Sequence, residues 1–357
     1  MRVVRFWSPA ARRAAAQAYA VNRFWAWWQA RGARDAAAAV DAGAPERMFG
    51  RMARHLTAIH PCLVWEFVPG TDSRYVLVVT AGGDPALRAI TGRWRRAAPP
   101  ADETWDYSNF RLPAPDPEAS VISLGGAQID VTSATVTAAV SGAHVDVTLY
   151  HPGFAALPPD QHVLTAFMLL DTVLGEAVVD TWIGTVAAAT EPPPAEPDAP
   201  PIVPLMDLPA VVDALEADLT DAKGERPWMV TRVTSEDGDP ILTSTQVPLR
   251  AASAPHLDTH VDLTVSFSER TSRGLPAPGS LHRLRDFQDD VAGYLGRNGR
   301  VVAHETHRGV RTLHLYVDST TFAVKQLKAA ISNWNQGTVS VTEKRDPGWD
   351  RVQHLRN

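Results

Sequence analysis

Apolar and polar positions alternate with two different periods along this chain, and the changes of period mark out its elements. Ser8-Pro9 reads as an N-cap followed by proline in the first helical position, and the Ala-rich run behind it predicts a long helix over residues 9–31. At about 100° per residue, Val21, Phe24, Trp25 and Trp28 fall on one arc and Arg12, Arg13, Arg23, Arg31 and Arg34 on the other. A second helix is expected over 45–58. A period of two then predicts a hairpin of strands 62–68 and 74–80, and Asp84-Pro85 opens a helix to residue 97. Strands follow at 105–111, 121–124, 128–131, 135–140 and 144–150, then a helix over 160–174 and a strand over 178–186.

Residues 191–204 read EPPPAEPDAPPIVP, seven prolines in fourteen positions. Such a run stays extended and is expected not to join a sheet, so 190–204 is assigned as a linker between modules 1–189 and 205–357. The second module starts with an amphipathic helix over 208–219, acidic at Asp213, Glu216, Asp218 and Asp221, and a hairpin of strands 228–233 and 241–247. From residue 260 the pattern is strand 260–267, helix 280–296, strands 300–306 and 311–317, helix 320–334 and strand 338–343. That β-α-β-β-α-β order predicts a ferredoxin-like sandwich with an extra hairpin in front. The fold class is therefore α+β, with the first module a related arrangement of helices and antiparallel sheet. HVDVTL at 144–149 and HVDLTV at 260–265 echo each other faintly.

Charge narrows the partners only slightly. Lys and Arg number 34 against 40 Asp and Glu, a net charge of −6 that does not advertise a nucleic-acid surface. Cys62 is the only cysteine, so no intrachain disulfide forms and the cytoplasm is the expected compartment. The early arginines resemble an export signal, but Gln17, Asn22 and Arg23 interrupt the apolar core such a signal needs. No membrane association is expected.

From Pro227 onward, PWMVTRV, RGLPAPGSL, TLHLYVD and KRDPGWD resemble the bacterial family called domain of unknown function 695. The N-terminal half, with FWAWW, LVWEF, TAGGD, NFRLP and LLDTVLGE, looks like a module that bacterial genomes often encode beside or fused to such domains. Members of the family can be fused to a domain similar to regulator B of ribonuclease E, which acts by binding an enzyme; no such domain is read here. The resemblance implies a regulatory role and carries no catalytic residues.

The candidate chemistries are each matched by a plainer reading. His304, His307 and His314 lie near one expected hairpin, but positions three apart on a strand face opposite ways and zinc needs three or four convergent ligands. His144 with Asp146, and His260 with Asp262, form strand pairs that lack a nucleophile; Cys62, at the start of an apolar strand, is expected to be an inert buried thiol. Gly82-Gly83-Asp84-Pro85 lacks a phosphate-loop lysine and reads as turn and cap. Trp27 falls between Arg23 and Arg31 by helical angle, so the three make a candidate partner-binding surface, although burial of Trp27 by other helices is the ordinary outcome. The sequence thus leads to a non-catalytic regulatory protein that binds a protein partner. Nucleic acid is a lesser alternative, no cofactor, metal or catalytic residue is assigned, and the competing reading is a metal-dependent hydrolase or nuclease built from distant histidines and acids.

Overall fold

The computed structural model describes residues 9–194, 200–221 and 226–356. Helix α1 (Pro9–Trp27) continues through one π-helical turn, Trp28–Gly32, into α2 (Ala33–Asp41), ten residues beyond the expected end; the Ser8 cap lies outside the described residues. Phe24, Trp25, Trp27 and Trp28, at i, i+1, i+3 and i+4 spacing on one helical face, are all buried. At Gly32 a Cβ would stand 3.1 Å from both the Trp27 and Trp28 rings, closer than ordinary contact. Helix α3 (Phe49–Ile59) buries Met52, Leu56 and Ile59 at helical spacing. Strands β1 (Val64–Pro69) and β2 (Tyr75–Thr80) form the expected hairpin, and α4 (Pro85–Arg96) is capped by Asp84, which accepts from Ala86 N at 2.9 Å. Strand β3 (Trp105–Ser108) adds parallel to β2. Three indoles in this core have their donors satisfied: Trp25 donates to Trp94 O at 2.9 Å, Trp28 to the Tyr107 hydroxyl at 3.0 Å and Trp105 to Ala33 O at 3.0 Å, whereas the buried Nε1 of Trp94 has no partner among the described residues.

Strands β4 (Val121–Leu124) and β5 (Ala127–Asp130) make a short hairpin, and β6 (Thr135–Ser141) pairs antiparallel with β7 (His144–Tyr150). Helix α5 (Pro159–Leu174) ends at Gly175, whose φ of 79° turns the chain by 110° into α6 (Glu176–Trp182). The strand expected over 178–186 is therefore helix up to Trp182: Val179 and Trp182, three apart, are both buried, a helical spacing hidden in a short apolar run. Strand β8 (Ile183–Ala189) then runs parallel to β7. The proline-rich segment corrects another expectation. Residues 195–199 lie outside the described ones, but β9 (Ile202–Pro204) pairs with β6 at the edge of the sheet β8-β7-β6-β9, where proline's missing N–H faces no neighbour. Helix α7 (Leu208–Asp218) buries Leu208, Val212 and Leu215 against the same core. On α5, Val163, Leu164, Phe167 and Met168 remain exposed. Among the described residues no single helix is long and apolar enough to cross a membrane.

The C-terminal part contributes β10 (Trp228–Thr234), β11 (Pro240–Gln246), β12 (Thr259–Ser266), α8 (Pro278–Leu295), β13 (Gly299–His307), β14 (Val310–Val317), α9 (Ala323–Ala330) and β15 (Val339–Arg345). They form one six-stranded antiparallel sheet in the order β10-β11-β13-β14-β12-β15. Val261, Leu263 and Val265 of β12 and Leu313, Leu315 and Val317 of β14 bury one sheet face under Leu284, Val291 and Leu295 of α8 and Leu327 of α9.

Contacts divide the chain into two compact units that do not follow the proline-rich segment. One contains Met1–Asn109, Val230–Thr245 and Ala254–Leu355; the other contains Phe110–Met229, Gln246–Ser253 and Arg356–Asn357. Within the first unit α4 docks on the C-terminal part: Gly92 lies so close to the backbone before β12 that a Cβ would meet His256 N at 2.8 Å. Arg93 beside it bridges two carboxylates, Asp258 Oδ2 at 2.7 Å and Asp318 Oδ1 at 2.9 Å.

Candidate functional site

A strand period of two leaves the even-numbered residues of β12 and β14 on the face away from α8 and α9. The register sets His260 opposite Tyr316, Asp262 opposite His314 and Thr264 opposite Thr312. Neighbouring β13 has a bulge between Val301 and Ala303, after which Glu305 pairs with Thr312 and lies diagonal to His314. Polar side chains from three strands therefore gather on one patch of sheet. A C-terminal 3-10 helix, Asp350–Leu355, crosses it; Val352 and Leu355 are buried, and Trp349 stacks on Tyr316 at 4.2 Å between ring centres.

At the centre of the patch three ligand atoms form a nearly equilateral triangle. His260 Nε2 and His314 Nδ1 are 3.2 Å apart, and Asp262 Oδ1 lies 3.6 Å from the first and 3.3 Å from the second. A tetrahedral ion with bonds of about 2.0–2.1 Å holds its ligand atoms about 3.3 Å apart, so the triangle has the size of one face of such a site. The surrounding groups orient it. His314 Nε2 donates to Glu305 Oε1 at 2.9 Å, the carboxylate support that metal-ligating histidines commonly have. Thr342 Oγ1 donates to Asp262 Oδ2 at 3.2 Å and leaves Oδ1 to the histidines. Arg351 Nε donates to His260 Nδ1 at 3.1 Å, and His354 Nε2 lies 3.2 Å from Glu305 Oε1.

The electrostatics follow from burial and these bonds. Burial, only partly offset by Asp262, pushes His260 down to about 4, so its ring is neutral. With Nδ1 accepting from Arg351, the proton of that ring sits on Nε2. Burial opposes a charge on His314 as well, but its hydrogen bonds to Asp262 and Glu305 outweigh it and hold this pKa above the ordinary value. The hydrogen bonds from His314 in turn hold Asp262 and Glu305 below the usual carboxylate range. Access is narrow: His260 is 2% and His314 6% exposed, and the Asp262 carboxylate opens the cluster to solvent.

Residues 227–355 match the family of unknown function DUF695. No curated protein and no solved structure matches the chain. The DUF695 segment supplies every residue of the cluster, from His260 on β12 to His354 in the last 3-10 helix.

The candidates singled out from the sequence sit elsewhere or in other roles. Trp27 is buried and stacks on His55 with ring centres 4.1 Å apart, while Arg23 and Arg31 are exposed; the three do not form an open aromatic surface. Of the three hairpin histidines only His314 enters the cluster. His304 is paired with Leu313 and His307 Nδ1 lies 3.2 Å from Pro240 O. His144 and Asp146 do pair, at 3.6 Å, but Asp146 is taken by Thr185 N at 2.6 Å. Cys62 is exposed in the turn before β1, not buried in the strand. The Gly82-Gly83 turn and the Asp84 cap have the plain structural roles read for them.

Two histidines outside the triangle set an acid response. Burial, reinforced by Arg96, pushes His256 down to about 4; burial, reinforced by Arg311, pushes His304 down to about 3. The unfolded chain protonates both below about 6.5, so it binds more protons than the folded chain and stability falls with pH. At about pH 5 each histidine accounts for a loss of about 2 kcal/mol, which the raised pKa of His314 offsets only in part. Urea unfolding in chelator is expected to show a clearly lower midpoint at about pH 5 than at about pH 7.5, and His304→Gln should flatten the difference. A midpoint that held or rose on acidification would contradict this account.

Proposed function

We propose that this protein is a non-catalytic bacterial regulator of the cytoplasm that binds one zinc-class divalent ion through His260, Asp262 and His314. The single observation that carries the reading is the triangle of ligand atoms with tetrahedral edges, backed by Glu305 behind His314. In the ion-bound state His260 and His314 are both neutral and give lone pairs from Nε2 and Nδ1. The ion replaces the protons that these nitrogens otherwise present to Asp262 Oδ1. Arg351 must then leave His260 Nδ1, which carries the ring proton once Nε2 is a ligand. Metal occupancy thereby acts on the C-terminal 3-10 helix that bears Arg351. The order β15-β12-β14-β13 within the sheet supports a ferredoxin-like arrangement for this part, and the exposed apolar residues of α5 support a protein partner.

Hydrolysis is the weaker reading, because two nearly inaccessible histidines leave little room for a substrate at the ion. The test is metal content of the full chain after loading with zinc and dialysis, with cobalt as a spectroscopic substitute. One ion per chain and the intense visible absorption of tetrahedral cobalt are expected, both lost in His314→Ala. Retention of no zinc by the folded wild-type chain would overturn the proposal.

A further inference from the structure

A cavity of about 270 Å³ in the first unit lies among α1, α4 and the segments that carry Arg297 and Asp318. Its walls hold three arginines, Arg93, Arg96 and Arg297, and one carboxylate, Asp318. Arg93 already has its partners: Asp318 Oδ1 at 2.9 Å, Asp258 Oδ2 at 2.7 Å, and His256 O and Ser319 Oγ each at 3.3 Å. Asp258 is shared with Arg345 at 2.7 Å. Two arginines therefore balance these two acids before Arg96 and Arg297 are counted. Arg96 approaches Asp318 Oδ2 only to 3.8 Å, beyond hydrogen-bond distance. Burial, and then the charge of Arg297, disfavour the Arg96 cation. His256, neutral for the reasons above, adds no charge of its own.

We propose that this cavity binds a small organic phosphate monoester, with its dianionic head between Arg96 and Arg297. The two excess guanidiniums match a dianion in charge, and their planar forks suit phosphate oxygens. Val21 and Ile90 line the apolar side, where the organic part rests, and the amides of Gln17 and Asn22 border it. The volume falls near the lower end of small-molecule sites, which fits a body of sugar-phosphate size and not a dinucleotide.

The test uses the full chain in chelator, so that the histidine cluster plays no part, with phenyl phosphate as probe and inorganic phosphate and phenol as controls. Calorimetry should show saturable binding of phenyl phosphate, tighter than inorganic phosphate, and none of phenol. Arg297→Ala is expected to weaken it about tenfold to hundredfold, the value of a charge-assisted contact. Arg297 is exposed on the surface, so this variant should keep the wild-type far-ultraviolet dichroism; Arg96→Gln provides a second reading of the same contact. No saturable binding, equal binding of inorganic phosphate, or unchanged binding in both folded variants would each overturn the proposal.

Discussion

Arg93→Ala is expected to destabilise the first unit by about 3–5 kcal/mol, the usual result of removing one partner from a buried ionic group. Asp258 is fully buried and Asp318 nearly so, and Arg93 joins both from α4. Without it, Asp258 keeps the Arg345 contact at 2.7 Å and the bonds from Ser319 N and Oγ at 3.0 Å, whereas Asp318 keeps the bonds from Thr320 N at 3.0 Å and Thr320 Oγ1 at 2.7 Å but has only Arg96, 3.8 Å away, as a cation. Arg345→Ala is the internal comparison. That side chain is 54% exposed, and its contact with Asp258 is partly replaced by water, so a loss of about 1 kcal/mol or less is expected. Arg93→Lys keeps one charge yet cannot reach two carboxylates and a carbonyl together, and it should fall between the two. Urea unfolding followed by tryptophan fluorescence reports on the right region, because Trp94 and its stacking partner Trp25 lie in the same unit. A loss in Arg93→Ala no greater than in Arg345→Ala would show that α4 is held by packing around Gly92 and not by the ionic bridge.

That bridge also marks the limit of what the sequence disclosed about the fold. Periodicity and capping located most helices and strands, because each rests on neighbours a few residues away: the Asp84 cap, the hairpin at 64–80 and the alternating faces of β12 and β14. Three features escaped it. The π turn at Trp28–Gly32 inserts no periodicity break that the residue pattern shows, and α6 depends on a single positive φ at Gly175. Strand β9 depends on proline occupying a sheet edge. The assignment of 190–204 as a spacer between modules rested on composition, whereas the docking of α4 on residues 255–258 and 318 joins positions more than 160 apart. No local pattern carries that information.

The candidate site was legible in pieces. HVD on β12 was read as a strand pair with both side chains on one face, and the histidine of TLHLY was noted only with its neighbours on the same hairpin. The β-α-β-β-α-β order already places the first strand beside the third, which sets 260–262 against 314–316; that inference from topology was the available signal, and the spacing within a hairpin was the wrong place to look. The exact register, the bulge in β13 that brings in Glu305, and the return of the C-terminus with Arg351 and His354 needed the structure. For Trp27 the helical angle left two outcomes, a place among arginines or burial by another helix, and it is buried, stacked on His55 of α3.

The opposed neighbours of the two ligand histidines give the sharpest test of what the cluster is for. Glu305 accepts the proton of His314 Nε2 and so makes Nδ1 the nitrogen that can give up its proton to an ion; Arg351 donates to His260 Nδ1 and so keeps the proton on Nε2, where an ion needs a lone pair. Glu305→Gln is therefore expected to weaken zinc binding about 10- to 100-fold. Arg351→Met removes both the competing donor and a positive charge whose Nη2 lies 3.8 Å from Asp262 Oδ2, and zinc binding should strengthen, by about tenfold or more. Competition with a chromophoric chelator measures both on the folded full chain. If the cluster were only a packed hydrogen-bond network, each substitution would lower stability and neither would raise metal affinity. Opposite signs for Glu305 and Arg351 are expected if an ion occupies the cluster, because Arg351 opposes it both by its charge and by holding the His260 proton on Nε2; metal occupancy would then act on the C-terminal 3-10 helix.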